Sequence, residues 1–156
     1  MRHSLQDVPA EWPLAASTLR ISPFTEATLL ASDPDDYMND AQLAFFRERL
    51  LGMKAQLLRN VTDTVERLRE LTVPSDPTDR ATLEEEHTLE LRARERERKL
   101  LAKVEAALRR IDEGDYGYCE ETGEPIGIPR LLARPTANLT VDAQERRERS
   151  QRVFAG

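Results

Sequence analysis

The chain has 156 residues and a formal net charge of −6, with 33% charged and only 5% aromatic residues. So few bulky side chains exclude a large compact core, and a single cysteine excludes a disulfide-stapled scaffold. Six glycines and nine prolines argue against a sandwich of short strands, and the acidic balance disfavours broad electrostatic binding to nucleic acid. No run is long and apolar enough to cross a bilayer, and the N-terminal residues lack a secretory pattern, so a soluble, cytoplasmic, helix-rich and elongated protein is expected.

Residues 1–36 form a separate, partly disordered N-terminal segment in this reading, loose over 1–15. Pro9, Pro13, Pro23 and Pro34 interrupt it, and Trp12 and Phe24 are its large apolar anchors. Within it, residues 22–31 are predicted to form a short helix that docks elsewhere, and the segment as a whole is expected to pack on the globular unit. Asn39 then has the chemistry of a helix N-cap, with Gln42 three residues on as in a capping box. Leu43, Phe46, Leu50, Met53, Leu57, Val61, Val65 and Leu68 follow in steps of three and four. They form one apolar stripe that carries a helix to about Thr72.

The run Pro74-Ser75-Asp76-Pro77-Thr78-Asp79 stops this helix and starts another. Asp76 is the expected N-cap, Pro77 suits the first helical position, and Asp79 falls at the third. Leu83, Leu91, Leu101, Val104, Leu108 and Ile111 mark the second helix, which Gly114 caps. Its middle, residues 92–99, is almost wholly charged, so the seam loses apolar residues there. Two helices of ~33 residues on a short turn must run antiparallel, each spanning ~50 Å.

The predicted architecture is therefore dominated by α-helix. A coiled-coil hairpin over 37–112, with its tip at 74–80, joins a small globular unit over 113–156 that ends in a helix from Val141 to Phe154. Charge is uneven along it: residues 74–86 carry net −4, and residues 87–112 carry net +3.

Candidate chemistry is sparse. His3 lies in the tail. His87 falls on the seam side of the second helix, four residues from both Leu83 and Leu91, and packing rather than catalysis is its expected role. No nucleophile–base pair is apparent, and no enzyme is expected. Cys119, Thr122, Thr140 and Ala143 have the spacing of two paired zinc-ligand turns, but only Cys119 is a strong ligand, so no bound zinc is expected. Asp76 and Asp79 sit at the end of a rigid rod, where they serve as caps or are presented into a cleft near a bound Mg²⁺. The basic run from Arg92 to Lys103 is either a solvated face or a grip on an acidic partner or phosphate ligand.

Particular segments resemble the DksA/TraR family of bacterial transcription factors: Tyr37–Arg47, Asp76–Ala81, Glu84–Arg92, Arg94–Leu100, Asp115–Glu120, Ile126–Ile128 and Ala133–Ala137. The resemblance implies a factor that binds RNA polymerase directly, without sequence-specific DNA recognition or a membrane, and as a monomer. The coiled coil would enter the secondary channel, and the factor would act with (p)ppGpp on open promoter complexes in the stringent response, repressing ribosomal RNA promoters. By likeness Asp79 is the main tip effector, with Asp76 and Ala81 beside it, while Arg92, Arg96 and Lys99 face polymerase. Lys103, Arg134 and Gln144 fall at the family's (p)ppGpp pocket, with Gln144 where the family pattern has lysine. The degenerate ligand positions resemble zinc-independent members. The alternative is a hairpin like the Gre transcript-cleavage factors, whose tip acids position Mg²⁺ and water.

Overall fold

The computed structural model describes residues 25–70 and 76–156. The expectations for His3, Trp12, Phe24, the loose tail, the Leu68 side chain and residues 71–75 of the turn lie outside it. The described elements are α1 (Glu26–Leu30), a 3₁₀ turn (Pro34–Asp36), α2 (Asp40–Glu70), α3 (Pro77–Glu113), α4 (Ile128–Ala133) and α5 (Val141–Ala155). The short helix within 22–31 is therefore present as α1. No helix among the described residues is long and apolar enough to cross a membrane.

Caps set the helix ends. The Asn39 side chain accepts the Gln42 N–H at 2.8 Å, and the Gln42 side chain reaches back to the Met38 N–H at 2.7 Å, one residue beyond the reciprocal bond of a standard capping box. Asp76 caps α3 by accepting the Thr78 N–H at 3.0 Å, with Pro77 in the first turn. Gly114 closes α3 in the left-handed conformation.

Helices α2 and α3 pack along each other as the arms of the hairpin. Phe46, Leu50 and Leu57 of α2 and Val104, Ala107 and Ile111 of α3 are buried at its base. They merge there with Leu29, Met38, Tyr116, Ile126, Leu131 and Ala137 into one core. Phe46 lies against Tyr116 with ring centroids 5.6 Å apart. On α1, Leu29 is buried and the helix packs on α4, while Glu26 pairs with Arg49 of α2. The globular end is thus wrapped around the hairpin base.

The far seam differs from its expected register. Leu91 is 47% exposed and His87 is also exposed. The less exposed positions are Leu83, Glu90, Ala93, Glu97 and Leu100, which step in threes, fours and sevens into Val104, Ala107 and Ile111. Leu91 falls one residue off this stripe, so the α3 seam carries glutamates and alanine where leucine was expected.

Tyr37 ties the base to the turn-rich unit. Its hydroxyl donates to the Gly117 carbonyl at 2.7 Å and accepts the Gly127 N–H at 2.9 Å. Its ring meets Tyr118 edge-on at 5.5 Å. Burial raises the Tyr37 phenol above its ordinary pKa, with the Gly127 N–H bond opposing in part.

Candidate functional site

The tip, the shaft and the base of α3 each carry one group of the candidate residues. At the tip, Asp76 is spent on its cap, whereas Asp79 is exposed in the first turn and forms no ion pair among the described residues. Ala81 is exposed beside it. Along the shaft, Arg92, Arg96, Lys99 and Lys103 step by four, three and four, which places them on one face of α3. The adjacent Glu95 and Arg98 neutralise each other at 2.8 Å. Among the described residues none of Arg92, Arg96, Lys99, Lys103 or Arg134 has an ion-pair partner. A ribbon of positive charge, with no ion pair to a described residue, therefore runs down α3.

The ribbon ends in a cavity of ≈ 160 Å³ between α3, α4 and the start of α5. Lys103, Arg134 and Gln144, which the sequence reading grouped by resemblance alone, all line it. So do Arg110, Arg130, Asn138 and the lone carboxylate Glu120, which that reading missed. The missed residues lie far apart in sequence and meet only through tertiary folding.

Two of the four cations are already engaged. Arg110 donates to the carbonyls of Asp115 at 3.0 Å and Tyr118 at 2.6 Å and pairs with Glu120 at 3.6 Å. Arg130 gives its Nε–H to the Leu139 carbonyl at 3.0 Å, which leaves its terminal nitrogens for the cavity. Lys103 and Arg134 are uncommitted. Gln144 spends its amide on Glu148 at 2.9 Å. Such an array suits a small, highly charged anion, because charge-assisted bonds from preset guanidinium groups gain most where the donors are held in place.

Behind the cavity, the four positions with paired-ligand spacing form a small packed unit. Cys119 and Ala143 are buried with Leu139. Thr140 caps α5 by accepting the Ala143 N–H at 3.3 Å, and its hydroxyl lies 3.8 Å from the Cys119 sulfur. The Thr122 hydroxyl accepts the Glu124 N–H at 3.3 Å. Burial pushes the Cys119 thiol up, but the Thr122 hydroxyl and backbone N–H groups of Thr140, Thr122 and Glu121 outweigh it and bring the pKa to about 6.

A folded-state pKa below the ordinary thiol value stabilises the fold fully above that ordinary value, and the contribution fades as pH falls through about 6. Stability should therefore rise with pH between the two values. Denaturant melts across this range should show the rise in the native chain and not in Cys119→Ala; equal pH slopes would remove the thiolate.

The comparisons with known proteins fall on this same frame. The family "DnaK suppressor protein DksA, N-terminal domain" matches residues 42–111, and the family "Prokaryotic dksA/traR C4-type zinc finger" matches residues 114–149. The RNA polymerase-binding transcription factor DksA of Caulobacter vibrioides is 52% identical over 123 residues, 78% of this chain and 87% of that protein. Its Escherichia coli K12 counterpart is 46% identical over the same share of this chain and 82% of its own length. Among solved structures, transcription factor DksA2 from Pseudomonas aeruginosa superposes with a TM-score of 0.73 at 48% identity, over 82% of this chain and 99% of that one.

The chain belongs to the DksA/TraR family. The zinc that the second family's description implies does not fit the residues present. One thiol, two neutral hydroxyls already used in capping and turn bonds, and a buried methyl do not make a tetrahedral donor set. Among the described residues no group of three His, Cys, Asp or Glu is placed to hold a metal.

Proposed function

We propose that this chain is a non-enzymatic transcription factor that binds bacterial RNA polymerase directly, as a monomer in the cytoplasm and without reading DNA sequence. Its hairpin enters the secondary channel, places Asp79, with Asp76 and Ala81, near the active site, and shifts the stability of open promoter complexes. The relatives at 52% and 46% identity are RNA polymerase-binding transcription factors, which supports the polymerase partner. The observation that carries the finer reading is the continuity of one ribbon. Arg92, Arg96 and Lys99 lead along a single helix face into the cavity of Lys103 and Arg134, while the free carboxylate of Asp79 stands ~36 Å away at the other end of the same helix. In this reading the shaft grips an acidic polymerase surface, and the cavity takes a phosphate group of (p)ppGpp at the interface. Gln144, whose amide is bonded to Glu148, brings no charge where lysine would, and Arg130 supplies donors beside it.

The shaft contacts test the polymerase reading. Arg96→Ala and Lys99→Ala should each weaken polymerase binding on the order of threefold at low salt, and by less at high salt, because exposed charges act at a range that salt screens. Unchanged affinity at low salt for both would reduce the ribbon to a solvated face. Competition against labelled native chain at two ionic strengths reads this directly.

A further inference from the structure

We infer that the two described stretches of the arms beyond Leu57 and Leu100, residues 58–70 and 76–99, form a separate cooperative unit that opens and closes on a folded base. The inference stands on the distribution of burial and does not depend on the identity of the partner. At the base, six seam side chains from Phe46 to Ile111 are buried and joined to the globular core. Beyond it, Thr64 is the only buried residue among those described on either arm.

The Thr64 hydroxyl donates to the Asn60 carbonyl of its own helix at 2.8 Å, so it contributes no bond across the seam. Between described residues, the distal seam is crossed by two polar and long contacts: Asn60 Nδ2 to Glu97 Oε1 at 3.3 Å, and Arg67 to Glu90 at 3.5 Å with the Arg67 side chain 68% exposed. Pairs of this kind contribute little. Val61, Val65, Leu83 and Ala93 are only half-buried, and the leucines that could have filled the gap, Leu89 and Leu91, face solvent.

Helical arms of this length are marginal without a packed face. Free energies of opening follow local apolar burial, and contiguous segments open together. The two distal arms share one polar seam and so depend on each other. The base, in contrast, is held by the whole globular core. The tip carboxylates therefore ride on a segment whose order a binding partner completes, while the cavity at the base is preformed.

Hydrogen exchange on the full-length chain tests this. Amides in 60–67 and 84–97 should show protection factors about a hundredfold below those in 44–55 and 104–111. Filling the seam with Thr64→Leu and Glu97→Leu together should raise protection in both distal arms by about tenfold and leave the base unchanged. Uniform protection along the hairpin in the native chain would overturn the inference. So would a filled seam that protects one arm only, because fraying of a single helix end is not a cooperative unit.

Discussion

Gly117→Ala should cost on the order of 4 kcal/mol of stability and lower the melting temperature by roughly 10 °C. Gly117 holds φ +90°, a conformation that disfavours any side chain by about 1–2 kcal/mol. A Cβ built there would lie 2.6 Å from Met38 Cγ, 2.7 Å from Met38 Sδ and 3.3 Å from the Tyr37 hydroxyl. Met38 has little room to give way. It is buried, holds a positive φ of its own, and has its N–H fixed to the Gln42 side chain. Displacing it also disturbs the Tyr37 hydroxyl, whose two bonds to Gly117 and Gly127 join the hairpin base to the turn-rich unit. Gly52→Ala is the control. It sits inside α2 with open space around the new Cβ, so it should stabilise the chain by about 0.5–1 kcal/mol. Thermal melts of the two variants should move in opposite directions; a Gly117→Ala melt equal to the native one would show that the Tyr37–Met38 junction yields freely.

Asp79→Asn should leave polymerase binding close to native and remove most of the effect on open complexes. Asp79 is exposed and has no ion pair among the described residues, so its loss leaves nothing unsatisfied in the fold. Asparagine keeps its size and a hydrogen-bonding oxygen, and the α3 cap itself rests on Asp76. Affinity in the proposed complex comes from the long basic ribbon and the globular end, so one side chain at the far tip adds little. Beside the polymerase active site and its Mg²⁺, at low effective dielectric, one carboxylate charge shifts an equilibrium by roughly 2–4 kcal/mol. The variant should therefore compete with the native chain for polymerase while failing to regulate. Normal regulation by Asp79→Asn would make Asp79 a bystander; loss of binding would make the tip an affinity anchor.

Much of this frame was legible because it rests on short-range chemistry. Asp76-Pro77, Asn39-x2-Gln42 and Gly114 are stop and start signals that act within one helical turn, and the structure uses each of them. The α2 stripe through Phe46, Leu50 and Leu57 is strongly periodic and is buried as expected. The α3 register beyond Leu100 was not legible. Its true seam is polar, so periodicity favoured the conspicuous Leu91 over Glu90 and Ala93. Helix α4 was missed as well, since its six residues carry too little pattern of their own and pack on α1 from nearly a hundred residues earlier. The candidate cavity was visible only through family resemblance. Lys103, Arg130, Arg134 and Gln144 share no local motif, and Arg110 looks from sequence like any helical surface cation until its three carbonyl and carboxylate partners close around it.

The measurement that bears most directly on the proposed function is the lifetime of open complexes formed by RNA polymerase at a ribosomal RNA promoter, with the purified chain present and (p)ppGpp added or withheld. The chain alone should shorten the lifetime, (p)ppGpp should shorten it further, and Lys103→Ala with Arg134→Ala should abolish the second effect while keeping the first. An unchanged lifetime under all conditions, or cleavage of the transcript in backtracked complexes in its place, would contradict the account.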